Sequence, residues 1–497
     1  MNFRPVLTVE QARELDLITL ATYHFSKDSL MESAGLRIAN RLESISENSF
    51  LFLVGFGNNG GDALVALRHI ALSSKEITLF LFELNPESKN SNYKLNRSRL
   101  NDLIDTGRIE ILHELPKSFS GCIVDGLFGS GLSRNVNKDI CSLISWVNNQ
   151  KAFRVSIDVP SGLDSTSGFA KPLAIKADLT LAIGFKKIGF FYNEGVLFTG
   201  KIEILSIGFD QNLIKPIYYE LDEYNDSTST INKKFRAERS HKYDEGFVSI
   251  IAGSAALSGA AYLASKAALV AGAAAVQLFY PAGLYPVYDI LLPEVLKNPI
   301  GKKSDRYFKP EHIEELFERL TNSTKHSIVL GPGLGIEKET QQFIHSFLKK
   351  NSFPLIVDAD ALAIFAEIKD DFTFPIICTP HIGELRKMTG KAINSDFDRV
   401  EYARFFAMEK SIYIFSKGTM GCFIEPDGKV YFLPFSNSKF KKTGYGDVFS
   451  GWLGRNWLIF KNPRDACFNS AIELFEKATP YSTDDLSPEH LIALSTK

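Results

Sequence analysis

Several short segments combine an acidic or amide side chain with adjacent glycines, the pairing needed to hold an anion and move a proton. In LFLVGFGNNGGDALVALRHI, glycines 55, 57, 60 and 61 let backbone N–H groups approach an anion at a helix start, and Asn58, Asn59 and Asp62 add polar ligands. Tight strand-to-helix turns also need glycine for geometry alone. The two adjacent amides favour a site over a plain turn, since their carbonyl oxygens suit a cation or a ribose. IVDGLFGSGLSRN ends a run on Asp125, and VSIDVPSGLD ends one on Asp158. In the second half, KKTGYGDVFSGWLGRNW sets Gly444, Gly446 and Asp447 at the start of an apolar helix. There, N–H groups form a hole for developing negative charge and a carboxylate can take a proton from a hydroxyl.

Short β-branched and aromatic runs alternate with helical patterns in both halves, which predicts parallel sheets covered by helices. Strands are expected near Phe50–Val54, Ile77–Leu84, Cys122–Asp125, Phe153–Asp158, Leu179–Ile183 and Ile202–Ser206. A second series runs through Phe247–Ile251, Val276–Tyr280, Ser327–Leu330, Leu355–Asp358, Ile376–Cys378 and Ile412–Phe415. The helix after the first strand is expected to open at Asp62. Carboxyl ends of parallel strands share a crevice, so Asp125 and Asp158 should converge on the Gly/Asn turn. An aspartate there also serves simply to cap a turn. Three polar strand ends aimed at one crevice favour the functional reading. In the second half GPGLG (331–335), VDADAL, TPHIGEL and SKGTMG each end a strand, and the small-residue helix after SIIAGSAALSG permits close packing or close ligand approach.

At 497 residues the chain fits two domains, and 45% hydrophobic with 23% charged residues is a globular composition. A net charge of −2 provides no global field for nucleic acid or an acidic membrane surface. The five cysteines are scattered, without a CxxC or zinc spacing, and read as reduced core residues of a cytoplasmic protein. The first residues turn charged before an apolar core of a signal peptide can form, and the apolar stretch around Ala267–Tyr280 is too short to span a bilayer. Residues 211–234 lie in a polar, Ser/Thr/Asp-rich stretch without periodicity and read as a linker between domains at 1–210 and 235–497. His241 reads as packing or linker structure.

The NNGGD turn, VDGLFGSGL, SIDVPSGLD and the earlier MESAG (Met31–Gly35), in that order, resemble the NAD(P)H-hydrate epimerase domain, over nearly all of residues 1–210. The resemblance implies a Rossmann-like three-layer α/β fold. It implies a potassium ion on Asn59, Asp125 and Ser161, hard oxygen ligands suited to an alkali cation. It also implies substrate contacts from Asn58, Asn59, Gly60, Gly61, Asp62, Gly129, Ser130, Gly131, Leu132, Ser133, Arg134, Asn135 and Asp158. Asp158 is the expected acid/base, assisting loss and return of the hydroxyl at the hydrated ring carbon. Ala63 stands where the family usually has glycine.

The ordered motifs of the second half resemble the ADP/ATP-dependent NAD(P)H-hydrate dehydratase domain of the ribokinase-like superfamily, over roughly residues 235–455. The resemblance makes Asp447 the catalytic base and Gly444 to Gly446 the anion hole. Lys417, Gly418, Thr419, Met420 and Gly421 would contact the nucleotide, and Ala260, Gly333 and His381 the hydrated nicotinamide. It implies ADP or ATP with magnesium, the bacterial type of fusion favouring ADP, and a homo-oligomer. Gly421 stands where the family has threonine, Tyr445 replaces a small residue, and Lys439-Phe440-Lys441-Lys442 replaces small and apolar ones. Those lysines either supply phosphate affinity or form a solvated loop. The expected function is repair of hydrated NADH and NADPH by epimerisation and nucleotide-dependent dehydration. A ribokinase-like small-molecule kinase and a nucleotide-binding protein with a degenerate second site are the alternatives.

Overall fold

The computed structural model describes residues 1–73, 76–84, 90–132, 134–222, 246–320 and 325–493. The chain divides into two compact units: Pro5–Tyr218, and Met1–Arg4 with Tyr219–Lys497. The expected boundary at 210/211 falls near this division. Residues 1–4, however, were assigned to the first domain and pack in the second unit. Phe3 meets the rings of Tyr431 at 4.9 Å and Phe468 at 5.2 Å, and the Asp222 N–H donates to the Asn2 carbonyl at 2.9 Å. Part of the expected linker is also ordered structure: Tyr218–Leu221 is a strand, aligned beside Val430–Ser436. Residues 223–245, including His241, lie outside the described residues.

The first unit is built on a parallel sheet ordered Glu110–Ile111, Thr78–Glu83, Ser49–Val54, Gly121–Gly126, Ala152–Ile157, Leu179–Ile183, Lys201–Leu205. Its central strand SFLFLV is apolar on both faces because helices cover both, and Phe50 to Val54 are fully buried. The helices Val9–Tyr23 and Lys27–Glu43 begin at capping boxes, Thr8 with Gln11 and Ser26 with Ser29. The helix after the central strand opens at Asn58, not Asp62. The amides thus stand in the first helical turn, where backbone N–H groups lack intrahelical partners. Glycine is required here for packing: a Cβ on Gly60 would lie 1.9 Å from the Gly55 carbonyl oxygen, and one on Gly35 of MESAG 2.3 Å from Val65 Cγ1.

The second unit carries parallel strands in the order Leu296–Ile300, Val276–Pro281, Phe247–Ile251, His326–Leu330, Leu355–Val357, Ile376–Cys378, Tyr413–Ser416. It then turns antiparallel through Met420–Ile424 and Val430–Ser436. SKGTMG is therefore the turn between antiparallel strands, a placement the sequence reading did not anticipate. The small-residue helix Ser258–Val270 packs closely against Tyr445–Phe460: a Cβ on Gly451 would stand 2.0 Å from the Ala264 carbonyl oxygen. Among the described residues no helix is long and apolar enough to cross a membrane. The cysteines are free thiols, four of them buried and Cys141 half-buried.

Candidate active sites

In the first unit a cavity of about 990 Å³ opens over the carboxyl ends of the strands. Asn58, Asn59, Asp62, Gly129, Ser130, Gly131, Leu132, Arg134 and Asp158 line it. Gly60 and Gly61 sit behind the wall, Gly61 against the Met31 sulfur. Asn135 is outside the lining, and Ser133 lies outside the described residues.

Asp158 follows the strand Ala152–Ile157 with φ +64°, a left-handed conformation that turns its carboxylate to the cavity wall. That carboxylate accepts from Ser130 N and Ile183 N, each at 3.3 Å, and forms an ion pair with Lys187 Nζ. Lys187 is buried, and its ammonium also donates to the Ile183 carbonyl at 3.1 Å. Asp62 and Asp16 face the same cavity. Burial, followed by the charges of Asp158 and Asp16, holds the Asp62 carboxyl well above its ordinary range. Lys187 and Asp16 were missed in the sequence. A lysine inside the apolar run IGFKKIGFF is a signal for the first, because burial of an ammonium demands a partner; Asp16 sits among surface-type residues of an amphipathic helix and carries no such mark.

Asp125 does not line the cavity. It lies beneath, fully buried, where Oδ1 accepts from Ser161 Oγ at 2.5 Å and Oδ2 accepts from Ser156 Oγ at 2.8 Å and Ser161 N at 2.9 Å. Burial raises its carboxyl against the pull of those donors. Asn59, 8% exposed, has neither amide atom hydrogen-bonded, and a Cβ on Gly129 would stand 3.2 Å from its Oδ1. A buried amide without partners is unusual and marks a place where something polar belongs. The convergence expected of Asn59, Asp125 and Asp158 thus divides into two layers, a cavity wall and an oxygen-rich pocket under it.

In the second unit a mostly apolar cavity of about 520 Å³ runs from Lys417, Gly418 and Thr419 past Gly446 to Phe415 and Phe449. Lys417 Nζ donates to Asp358 Oδ1 at 2.7 Å, which also accepts from Thr379 Oγ1 at 2.6 Å. The same ammonium stands 3.2 Å from where a Cβ on Gly446 would be, so a side chain there would crowd it at the helix start. Gly444, at φ +102°, precedes the helix Tyr445–Phe460. Asp447 in its first turn has its carboxyl pushed up to about 7, first by burial and then by the Asp358 charge, with Lys417 opposing.

Met420 and Gly421 do not line this cavity; they begin the buried strand Met420–Ile424. Arg399, which the sequence reading overlooked, is buried beneath the turn: it pairs with Asp396 at 2.8 Å, donates to Ser416 Oγ at 2.9 Å and to the Met420 carbonyl at 2.9 Å. A Cβ on Gly418 would fall 2.6 Å from its Cζ, which explains that glycine. Ala260 and Gly333 meet each other, a Cβ on Gly333 lying 3.0 Å from Ala260 Cβ, outside the lining of this cavity. His381 lines it and caps the helix Ile382–Thr389, its Nδ1 accepting from Gly383 N at 2.9 Å and Glu384 N at 3.2 Å.

The lysine run is neither a phosphate clamp nor a solvated loop as a whole. Lys439 Nζ donates to the carbonyls of Ala478, Thr479 and Tyr481 at 2.8–3.1 Å, capping the helix Pro463–Ala478. Lys442 Nζ does the same for Asp484 and Leu486. Lys441 alone of the three lines the cavity. Tyr445 is buried in the core, edge-on to Phe440 at 5.3 Å.

Two family descriptions match the chain: a YjeF-related protein N-terminus over residues 27–189, and NAD(P)H-hydrate dehydratase over residues 248–485. The chain is similar to the bifunctional NAD(P)H-hydrate repair enzyme Nnr of Thermosynechococcus vestitus, 30% identical over 448 residues, covering 86% of this chain and 83% of that protein. It is similar likewise to the enzyme of that name from Dictyoglomus turgidum, 28% identical over 456 residues, 90% of this chain and 88% of the other. A solved ADP/ATP-dependent NAD(P)H-hydrate dehydratase from Bacillus subtilis, co-crystallised with ATP and Mg2+, is 27% identical over 52% of this chain and 91% of its own, with a TM-score of 0.46.

Proposed function

The chain belongs to the family of bifunctional NAD(P)H-hydrate repair enzymes, and on that premise we propose how its two units divide the work. The first epimerises the R and S hydrates of NADH and NADPH, and the second dehydrates the S form with ADP or ATP. What carries the reading is that each unit holds its own cavity with a lysine and an aspartate beside it: Asp158 on the wall paired with buried Lys187 in the first, and in the second half-buried Lys417 on the wall, with Asp447 just outside the lining, next to the lining residue Gly446.

In the first unit Asp158 is the acid/base at the hydrated ring carbon, and Lys187 holds its carboxylate in place. Asn59, Asp125 and Ser161 are the proposed potassium ligands. The donor set fits: an unpartnered buried amide, a carboxylate whose burial opposes its charge, and a hydroxyl. At that site these three residues would hold the cation, whose positive charge would favour the ionised form of Asp125. In the second unit, hydroxide is a poor leaving group, and phosphorylation of the ring hydroxyl makes it a good one. Asp447, with its raised carboxyl, takes the hydroxyl proton; Lys417 and the helix N–H groups around Gly446 meet the phosphate. Magnesium brought with the nucleotide would offset phosphate charge there. With Lys439 and Lys442 occupied by backbone carbonyls, phosphate binding falls to Lys417, Lys441 and the backbone.

Incubation with hydrated NADH, with and without ADP or ATP, tests the whole reading through the absorbance of the restored dihydropyridine. Nucleotide-dependent restoration is expected. A stable phosphorylated product would instead indicate a small-molecule kinase, and nucleotide binding without turnover a degenerate second site.

A further inference from the structure

The cavity of the first unit holds more acid than one catalytic aspartate accounts for, and the inference drawn from this rests on the epimerase reading. Inverting a hydrated ring carbon requires proton handling on both ring faces. On one face a proton passes to the hydroxyl oxygen, the C–O bond breaks, and the ring nitrogen's lone pair closes a C=N+ bond as water leaves. On the other, a water oxygen bonds to the carbon, the C=N+ pair returns to nitrogen, and the surplus proton on that oxygen goes to a base. One proton is given and one taken, and no oxidant or other reactant is consumed. A carboxylate fixed to one wall serves one face.

Asp158 is such a fixed group, held by Lys187, Ser130 N and Ile183 N. The helix Val9–Tyr23 brings Asp16 to the same cavity. Its side chain is exposed to that space, and among the described residues no hydrogen bond or ion pair ties it down. Asn59, buried in the same wall with an unpartnered amide, independently marks the cavity as one shaped for a polar ligand. We propose that Asp16 is the second catalytic acid/base of the epimerisation, handling the proton that the fixed Asp158 carboxylate does not. The charged groups around it are Asp158 and Lys187 from the strand ends, Asp62 in the helix that opens at Asn58, Arg13 on its own helix, and Lys27 and Arg134 on the cavity lining. Partial desolvation of this open side chain at the cavity edge first, and then the Asp158 charge, with Lys187 opposing, push the Asp16 carboxyl up to about 6, so it both gives and accepts a proton near neutrality. Asp62 is raised too, by its burial first and then by the charges of Asp158 and Asp16.

The test compares the full-length wild type with Asp16→Asn and Asp16→Glu in the interconversion of R and S hydrated NADPH across the neutral pH range. Asp16→Asn is expected to lose about 10²-fold or more in kcat with KM changed by less than about threefold. The wild-type rate should decline as pH rises through about 6, where the Asp16 carboxyl loses its proton, and Asp16→Asn should lack that limb. Asp16→Glu should recover part of the rate together with the limb. Dehydration of the S hydrate, unchanged in both variants, and a melting temperature no lower than that of the wild type establish that the chain is folded. An Asp16→Asn enzyme within about threefold of wild type, or one that is slow but keeps the limb, overturns the proposal. A wild type that does not interconvert the hydrates overturns the epimerase reading itself, a result distinct from an active wild type indifferent to the substitution.

Discussion

The two cavities use the same ingredients in different pairings. Each sets several carboxylates about one lysine of its wall: Asp16, Asp62 and Asp158 about buried Lys187 in the first unit, and Asp358, Glu384 and Asp447 about half-buried Lys417 in the second. In the first, the lysine is bonded directly to the proposed catalytic aspartate. In the second it is bonded to a neighbour, Asp358, which leaves Asp447 to feel that neighbour's charge more than the lysine's. The lysine's choice of partner thus decides which carboxylate is pinned and which stands unpaired beside it. A directly paired aspartate is oriented; an unpaired one, pushed up to about 7, is ready to accept a proton at working pH.

The largest effect expected from this contrast is that of Asp447→Asn, which should cost dehydration about 10³-fold or more while epimerisation stays unchanged, measured by parallel assays of the two steps. Wild-type dehydration should fall as pH drops through about 7, because the base form of Asp447 is protonated there. Stability moves in the opposite sense. A carboxyl with a folded value above its ordinary 3.8 binds its proton more tightly folded than unfolded, so it destabilises the fold as pH rises through that window. Asp447→Asn should accordingly raise the melting temperature above neutral pH while abolishing dehydration. Next in size, Lys417→Gln should cut dehydration by about 10²-fold and move its acid limb upward, since the one charge opposing protonation of Asp447 is gone. An unmoved limb would break the comparison at its centre.

Replacing potassium by lithium should slow epimerisation about tenfold and leave dehydration unaffected, and Asn59→Ala should remove that sensitivity. Equal responses of both steps would contradict a cation held by Asn59, Asp125 and Ser161. The smallest effect is expected for Lys439→Met. Its three carbonyl partners make it a helix cap, so the change should lower stability by about 1 kcal/mol without altering nucleotide affinity. Weaker nucleotide binding would return this lysine to the phosphate site.

Local patterns made much of this legible. FLFLV and IVDG read as buried parallel strands because an apolar run bounded by turn residues has few other homes, and Asp158 and Asp447 announced themselves by standing at strand ends or helix starts beside glycine. What escaped was decided by distant partners. Phe3 belongs to the second unit because of Tyr431 and Phe468, more than four hundred residues away in the chain. Strands Met420–Ile424 and Val430–Ser436 run antiparallel in a unit otherwise reading as parallel, and Lys439 and Lys442 look like a phosphate clamp until their carbonyl acceptors at 478–486 are seen. Asp125 reads as a crevice residue by position, yet Ser156 and Ser161 draw it under the floor.

The most direct test of two independent sites starts from pure R hydrate, ADP or ATP, and the full-length variants Asp158→Asn and Asp447→Asn. Alone, the first should leave the R hydrate unconverted and the second should form S hydrate without restoring dihydropyridine absorbance. Mixed, they should restore it, because the intermediate S hydrate passes through solution from one protein to the other. Two folded variants that fail when mixed, or either one that lacks both steps by itself, would contradict the account.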